Sequence, residues 1–279
     1  MRVAWVLLVM FYALSSYASE PKKLFFAPLP TQSEESVFQT FAPMVQYLEK
    51  TLHVSIQFHF SNSYEALLAS IQNGDVDFAY LGPLPYVELK AATPLVEPLV
   101  FFKEANGQST YTCVLVAWGD AYEPLVKLNP YHSFALTDPL STCGYLSVSA
   151  LLQEVGQDLG HQPFFYLGRH DEVALSIVKG RFDYGGVKSD IAQSYKHLGL
   201  EVVAQTEPIP SFALVANTQK LSAALRSSIT KALMEAPASE YATWGKSIRH
   251  GTDVASDEAY MPVRVMKLER SVREQGVLK

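Results

Sequence analysis

The segment Asp138-Pro139-Leu140-Ser141-Thr142-Cys143-Gly144 sets two hydroxyls, a thiol and a glycine between two apolar runs. Before it lies Phe134 to Thr137, a short strand-like run. After it, Tyr145 to Val155 repeats apolar residues at helical spacing. Ser141 reads as the N-cap of that helix, because a serine oxygen there can accept an otherwise unpaired backbone N–H. The first N–H groups of a helix and its dipole both favour a negative charge. Hydroxyls at such a place make an anion site that needs no cation. Cys143 leaves three readings open: a neighbour of a bound ligand, half of a disulfide with Cys113, or a buried inert thiol. His170, at a second predicted helix start, is a further donor. Paired with Cys143 it also offers a different chemistry, a thiolate nucleophile activated by an imidazole. No third group orients that imidazole in the sequence, so binding is favoured and catalysis is the alternative.

These residues need a frame to hold them. Short β-rich runs alternate with amphipathic helical patterns. Lys23 to Ala27 reads as a strand, Glu34 to Leu52 as a helix with Val37, Phe41, Val45 and Leu48 on one face, and Val54 to Phe60 as a strand. Tyr64 to Gln72 is a helix stopped by Asn73-Gly74, Val76 to Leu81 a buried strand, and Pro83 to Lys90 a helix that begins with proline. After a middle strand, Tyr111 to Trp118, the pattern repeats. Strand 134–137, helix 142–156, strand 164–167, helix 170–180, strand 182–185, helix 188–198 and strand 201–204 follow. The rhythm predicts an α/β protein of two similar halves with mostly parallel sheets. The segments at 111–118 and 207–212 bracket the second half, which predicts two crossovers. The tail, 219–234 and 239–248, is expected to be helical and to pack on the first half.

Composition narrows the function. Arg2, the apolar run Val3 to Leu14 and the small-x-small group Ser16-Tyr17-Ala18 read as a secretory signal peptide cleaved after Ala18. The 279-residue chain carries a net charge of −6 with 22 Lys+Arg against 28 Asp+Glu, and loss of Arg2 with the signal makes it −7. No basic run occurs, so nucleic acid is not an expected partner. Any anion affinity must come from a local site, because the global field repels anions. Two cysteines do not make a disulfide scaffold. The other histidines, His53, His59, His132, His161, His197 and His250, lack mutual metal-ligand spacing, so no metal and no cofactor is expected.

Four segments, in order along the chain, resemble the phosphonate/phosphite/phosphate-type solute-binding proteins of bacterial ABC importers. They are Asp77-Phe78-Ala79-Tyr80-Leu81-Gly82-Pro83-Leu84-Pro85-Tyr86, the Ser141-Thr142-Cys143-Gly144 loop with its flanks, Gly168-Arg169-His170-Asp171-Glu172 through Gly180-Arg181-Phe182-Asp183, and Ile209-Pro210-Ser211-Phe212. The resemblance implies a type II periplasmic-binding-protein fold with two lobes, each a mostly parallel sheet flanked by helices, and two hinge crossovers. It places residues 19–110 and 212–279 in one lobe, 114–208 in the other, and the hinge near 111–113 and 209–211. It implies a monomer in the periplasm that captures a small phosphorus oxyanion and delivers it to a membrane permease, or, as a variant, reports it to the periplasmic domain of a sensor kinase.

The resemblance also carries ligand positions. Tyr64, Tyr111, Ser141, Thr142 and His170 match donor positions of the family. Three positions depart from it. Cys143 replaces a third hydroxyl of the loop, and a thiol is a weak donor. Phe212 stands where aminophosphonate binders carry an Asp that holds the ligand's ammonium. Asp190 falls near a Glu with the same duty and is the one group that could take it over. The expected ligand therefore lacks a primary amine: phosphite, a methylphosphonate-like group or another small oxyanion.

Overall fold

The computed structural model describes residues 22–31, 33–119 and 122–267. The predicted signal peptide lies outside the described residues. Up to the first crossing the chain runs β1 (Lys23–Pro28), α1 (Glu34–Leu52), β2 (Ser55–Phe58), α2 (Tyr64–Gln72), β3 (Phe78–Leu81), α3 (Pro83–Ala92), β4 (Val96–Phe102) and β5 (Thr110–Tyr111). The middle holds β6 (Cys113–Trp118), β7 (Phe134–Leu136), α4 (Ser147–Glu154), β8 (Phe164–Tyr166), α5 (His170–Val178), β9 (Tyr184–Lys188), α6 (Ser189–Tyr195) and β10 (Leu200–Gln205). The remainder is β11 (Ile209–Pro210), β12 (Ala213–Asn217), α7 (Ala223–Met234), α8 (Ala238–Tyr241) and β13 (Thr252–Val254).

The strands form a six-stranded sheet, β13-β4-β12-β3-β1-β2, a five-stranded sheet, β10-β6-β9-β7-β8, and a ribbon of β5 with β11. Each sheet anchors one lobe. The chain leaves the first sheet after β4, passes through β5 into β6, and returns from β10 through β11 into β12. The two crossings lie side by side, with Tyr111 opposite Ile209 and Thr110 opposite Pro210.

The expectation of mostly parallel sheets is corrected. Within the first sheet β1 is parallel to β2 and β3, but β12 is antiparallel to β3 and β4, and β13 is antiparallel to β4. In the second, β7 is parallel to β8 and β9, while β6 is antiparallel to β9 and β10. A parallel neighbour requires a helix that returns the chain to the sheet's starting edge. Strands β6 and β12 instead arrive straight from the opposite lobe, so they run against their neighbours.

Local sequence accounts for the elements well. On α1 the buried residues are Val37, Phe41, Met44, Val45 and Leu48, one stripe at helical spacing. Ser33 caps its start by accepting from the Ser36 N–H, and His53 ends it in the left-handed region at φ 54°. The predicted helix 142–156 differs in its first turn. Residues Thr142–Leu146 form a π-helical turn, and α4 follows. The Ser141 carbonyl accepts from both Tyr145 and Leu146. The turn lies close against the end of β7: a Cβ on Gly144 would lie 1.8 Å from Thr137 Oγ1, so only glycine fits there. The tail packs as expected on the first lobe, where α7 lies against α1, β4 and β13.

Buried apolar side chains fill one cluster around the first sheet and two on either face of the second. Inside the first cluster sits a buried carboxylate. Asp77 accepts the Phe25 N–H at 2.7 Å, and its own backbone N–H bonds the Phe25 carbonyl. This clamp joins the entry of β3 to β1 and so sets the strand end that leads to Gly82. Asp77→Ala removes the partner of the part-buried Phe25 N–H and is expected to lower stability by about 1–3 kcal/mol. The urea midpoint, read at unchanged slope, measures it.

Candidate functional site

A small cavity lies between the lobes, with about 20 Å³ open to the centre of a water molecule. The first lobe and the crossing ribbon contribute Leu29, Tyr64, Gly82, Pro85, Tyr111 and Phe212 to its wall. The second lobe contributes Leu140, Ser141, Thr142, Cys143, His170 and Lys188. Seven of the eight residues singled out from sequence therefore share one wall.

Tyr64 opens α2 directly after its cap, Ser63, whose hydroxyl accepts from the Ala66 N–H at 3.1 Å. Burial, and then the charge of Asp138, raise its phenol pKa far above the ordinary value. Burial likewise raises that of Tyr111, against the opposing effect of the Thr142 hydroxyl. Both phenols stay protonated and can act as donors. Ser141 caps its helix as predicted, accepting from the Gly144 N–H at 3.0 Å, and keeps its own proton to give. Thr142 Oγ1 accepts from the Leu84 N–H of α3 at 2.9 Å. This hydrogen bond crosses from one lobe to the other, so the hydroxyl is already tied on its acceptor side and is aimed by that tie.

Two glycines let the loop approach the sheet this closely. Gly144 lies against Thr137. Gly186, in β9, lies under the loop, where a Cβ would be 2.3 Å from Val148 and 2.6 Å from the Cys143 carbonyl. A third fastening is covalent: Cys143 is disulfide-bonded to Cys113 at the start of β6. Cys113 is itself held by its N–H, which donates to Thr206 Oγ1 at 3.1 Å. The disulfide settles the three readings of Cys143. It also overturns the thiol-enzyme alternative, since the sulfur carries no thiolate. What Cys143 brings to the wall is a disulfide sulfur and its backbone.

His170 is the first residue of α5. Its Nδ1 is buried and has no hydrogen-bond partner among the described residues. Burial pushes its pKa down to about 4, so the ring is neutral at pH 7 with one N–H to donate.

Asp190 does not reach the cavity wall. It lies in the first turn of α6 with its side chain about half exposed (52%), and Lys188 Nζ is 3.9 Å away. The residue that does line the cavity is Lys188, two positions earlier, which the sequence reading missed. A signal was present: Lys188 is the last residue of a strand that leads into a helix, and such ends face the crevice of an α/β protein. Phe212 closes the remaining side. Its ring stacks on Tyr80 at 5.1 Å and covers Gly82 so closely that a Cβ there would sit 3.2 Å from it.

Two sheet-based lobes, two adjacent crossings and a donor-lined cavity between them define a two-lobed binding protein of the type II periplasmic class. The chain belongs to the family of ABC transporter, phosphonate, periplasmic substrate-binding proteins, which it matches over residues 26–260. It is 27% identical over 180 residues to the phosphate-import protein PhnD of Mycolicibacterium smegmatis, covering 59% of this chain and 54% of that protein. It is 29% identical over 140 residues to the phosphonates-binding periplasmic protein of Escherichia coli, covering 47% and 40%. The matched stretch thus spans about half the length of these curated relatives or less. In fold it is similar to PhnD1 from Prochlorococcus marinus, solved with methylphosphonate, with a TM-score of 0.76 at 18% identity, covering 90% of this chain and 99% of that one. A binding protein component of an ABC phosphonate transporter from Pseudomonas aeruginosa gives 0.77 at 17%, covering 90% and 87%.

The buried neutral imidazole has a consequence for stability. Unfolded histidine takes up a proton near pH 6.5, whereas His170 in the fold resists until about 4. Between those values the unfolded chain holds the extra proton, so this residue's contribution is present above about pH 6.5 and falls as pH drops towards 4. His170→Asn is expected to flatten the decline in unfolding free energy over that window, measured by urea unfolding at a series of pH values.

Proposed function

We propose that this protein captures a small phosphorus oxyanion between its lobes and delivers it to a membrane ABC permease. The carrying observation is the convergence of neutral donors from both lobes on one cavity, with the His170 Nδ1 buried there without a partner among the described residues. Buried polar atoms are normally paired, so an unpartnered nitrogen on a residue that lines a donor-rich cavity supports a ligand partner. Phosphorus oxyanions have several acceptor oxygens, and preorganised donors in a water-poor cleft suit them. Residues 1–18 act as a cleavable export signal, and the protein works in the periplasm as a monomer. Among the described residues, those up to 110 and from 212 onward form one lobe and those within 114–208 the other, hinged near 111–113 and 209–211. No ligand chemistry is required of the site.

Thr142 ties the lobes while Ser141 caps the loop, so their joint loss tests the site directly. Ser141→Ala with Thr142→Ala is expected to weaken methylphosphonate or phosphate binding by about 2–4 kcal/mol, with charge-assisted hydrogen bonds as the cause. Calorimetry reads the affinity. An unchanged affinity in a folded double variant would refute the site.

Phe212 determines what the far side of the ligand can be. An ammonium buried against the Phe212 ring without a counter-charge costs several kcal/mol, of which a cation–π contact returns about 1–2. Asp190 lies off the wall and does not supply the counter-charge. The protein is therefore expected to bind 2-aminoethylphosphonate no better than ethylphosphonate, and Phe212→Asp to shift the balance towards the amine. Titration of both ligands checks this. A wild-type preference for the amine of about tenfold, equivalent to 1.4 kcal/mol, would contradict it.

A further inference from the structure

Lys188 is the one cationic side chain on the cavity wall among the described residues, His170 being neutral. It is held in place from several sides. Its Nζ donates to Glu104 Oε2 at 2.6 Å, lies 4.9 Å above the Tyr111 ring, and has the Asp190 carboxylate at 3.9 Å. Glu104 is in turn fixed by Ser211, whose hydroxyl donates to its other oxygen at 3.2 Å. Both partners are largely buried, with side chains 17% and 21% exposed.

Three elements meet in this pair. Lys188 ends β9 in the second lobe, Glu104 follows β4 in the first, and Ser211 lies in the returning crossing. The arrangement is polar in direction. Lys188 lines the cavity and Glu104 does not, so the lysine is the member of the pair on the cavity side. The groups facing Lys188 that can titrate are Glu104, Asp190, Tyr111 and His170. The lysine charge reaches across to the imidazole, where it is one of the influences that lower the His170 pKa.

We propose that Lys188 is a specificity-determining residue that selects dianionic over monoanionic ligands, with Glu104 as the residue that positions it. This rests on the oxyanion-binding reading above. Neutral donors recognise oxygen atoms and count charge poorly, whereas a fixed ammonium in a low-dielectric cleft distinguishes one charge from two. The same ammonium repels an aminated ligand.

The test uses methylphosphonate and methylphosphinate, in which one oxygen is replaced by hydrogen, at a pH where the first is fully dianionic. Affinities are measured for the wild type, Lys188→Gln, Lys188→Arg, and Lys188→Gln combined with Glu104→Gln. The combined variant removes both members of the closest ion pair, so Glu104 is not left as a buried unpaired charge and the ratio stays readable if the single variant is destabilised. The wild type is expected to prefer the dianion, and both glutamine variants to lose about tenfold or more of that preference. Lys188→Arg, which keeps the charge, is expected to retain most of it. A lost cap or loosened loop would weaken both ligands alike and leave their ratio unmoved. A combined variant with the wild-type ratio, or a wild type without dianion preference, overturns the proposal while leaving oxyanion binding intact. Failure of the wild type to bind either ligand, or phosphate, would instead refute the oxyanion reading itself.

Discussion

The site depends on one close approach, that of the 141–144 loop to the second sheet. Backbone N–H groups and hydroxyls recognise an anion only if they are held in place before it arrives, because ordering them afterwards consumes binding energy. Here the approach leaves no space for a side chain at Gly144 or Gly186, and the loop enters its helix through a π-helical turn. Cys113–Cys143 then fastens the loop to β6, and Thr142 fastens it to α3 across the cleft. Steric contact, a covalent link and a hydrogen bond act on the same four residues from three directions.

The electrostatic design follows from that rigidity. A protein with net charge −6 does not attract anions at long range. In the proposed binding mode recognition is short-range, through phenols, hydroxyls and an imidazole whose neutral forms are favoured by burial. Neutral donors can be packed close together without mutual repulsion. The single ammonium on the wall is paired with Glu104, which holds it in place. Phe212 and Tyr80 supply a stacked apolar surface on the side where no oxygen needs a partner.

Much of this was legible in the sequence, and for physical reasons. Helix α1 was found residue for residue because Val37, Phe41, Val45 and Leu48 keep a strict stripe and Ser33 caps it. Tyr64, Tyr111, Ser141, Thr142, His170 and Phe212 reached one wall because each sits at an element end or crossing, places where side chains face a cleft. Strand direction was misread, since sequence periodicity reports burial and not the route by which a strand enters its sheet. Lys188 was missed because a lysine at the end of a strand reads as a solvated charge until its partner is known. That partner, Glu104, lies 84 residues away. Asp190 was over-read for the complementary reason: its type matched a role while its position on α6 turned it outward. The cysteines gave no answer because spacing alone does not determine pairing.

The disulfide ties the site to cellular geography. Cys113 and Cys143 are both buried, and one of them belongs to the binding loop itself. Cytosolic thiol pools keep such pairs reduced, while exported compartments oxidise them. With the pair reduced, the loop is held by packing and by the Thr142–Leu84 hydrogen bond, and the covalent fastening forms only where thiols are oxidised. The stiffness of the loop thus depends on the redox state of its surroundings, since reduction removes one of its three fastenings.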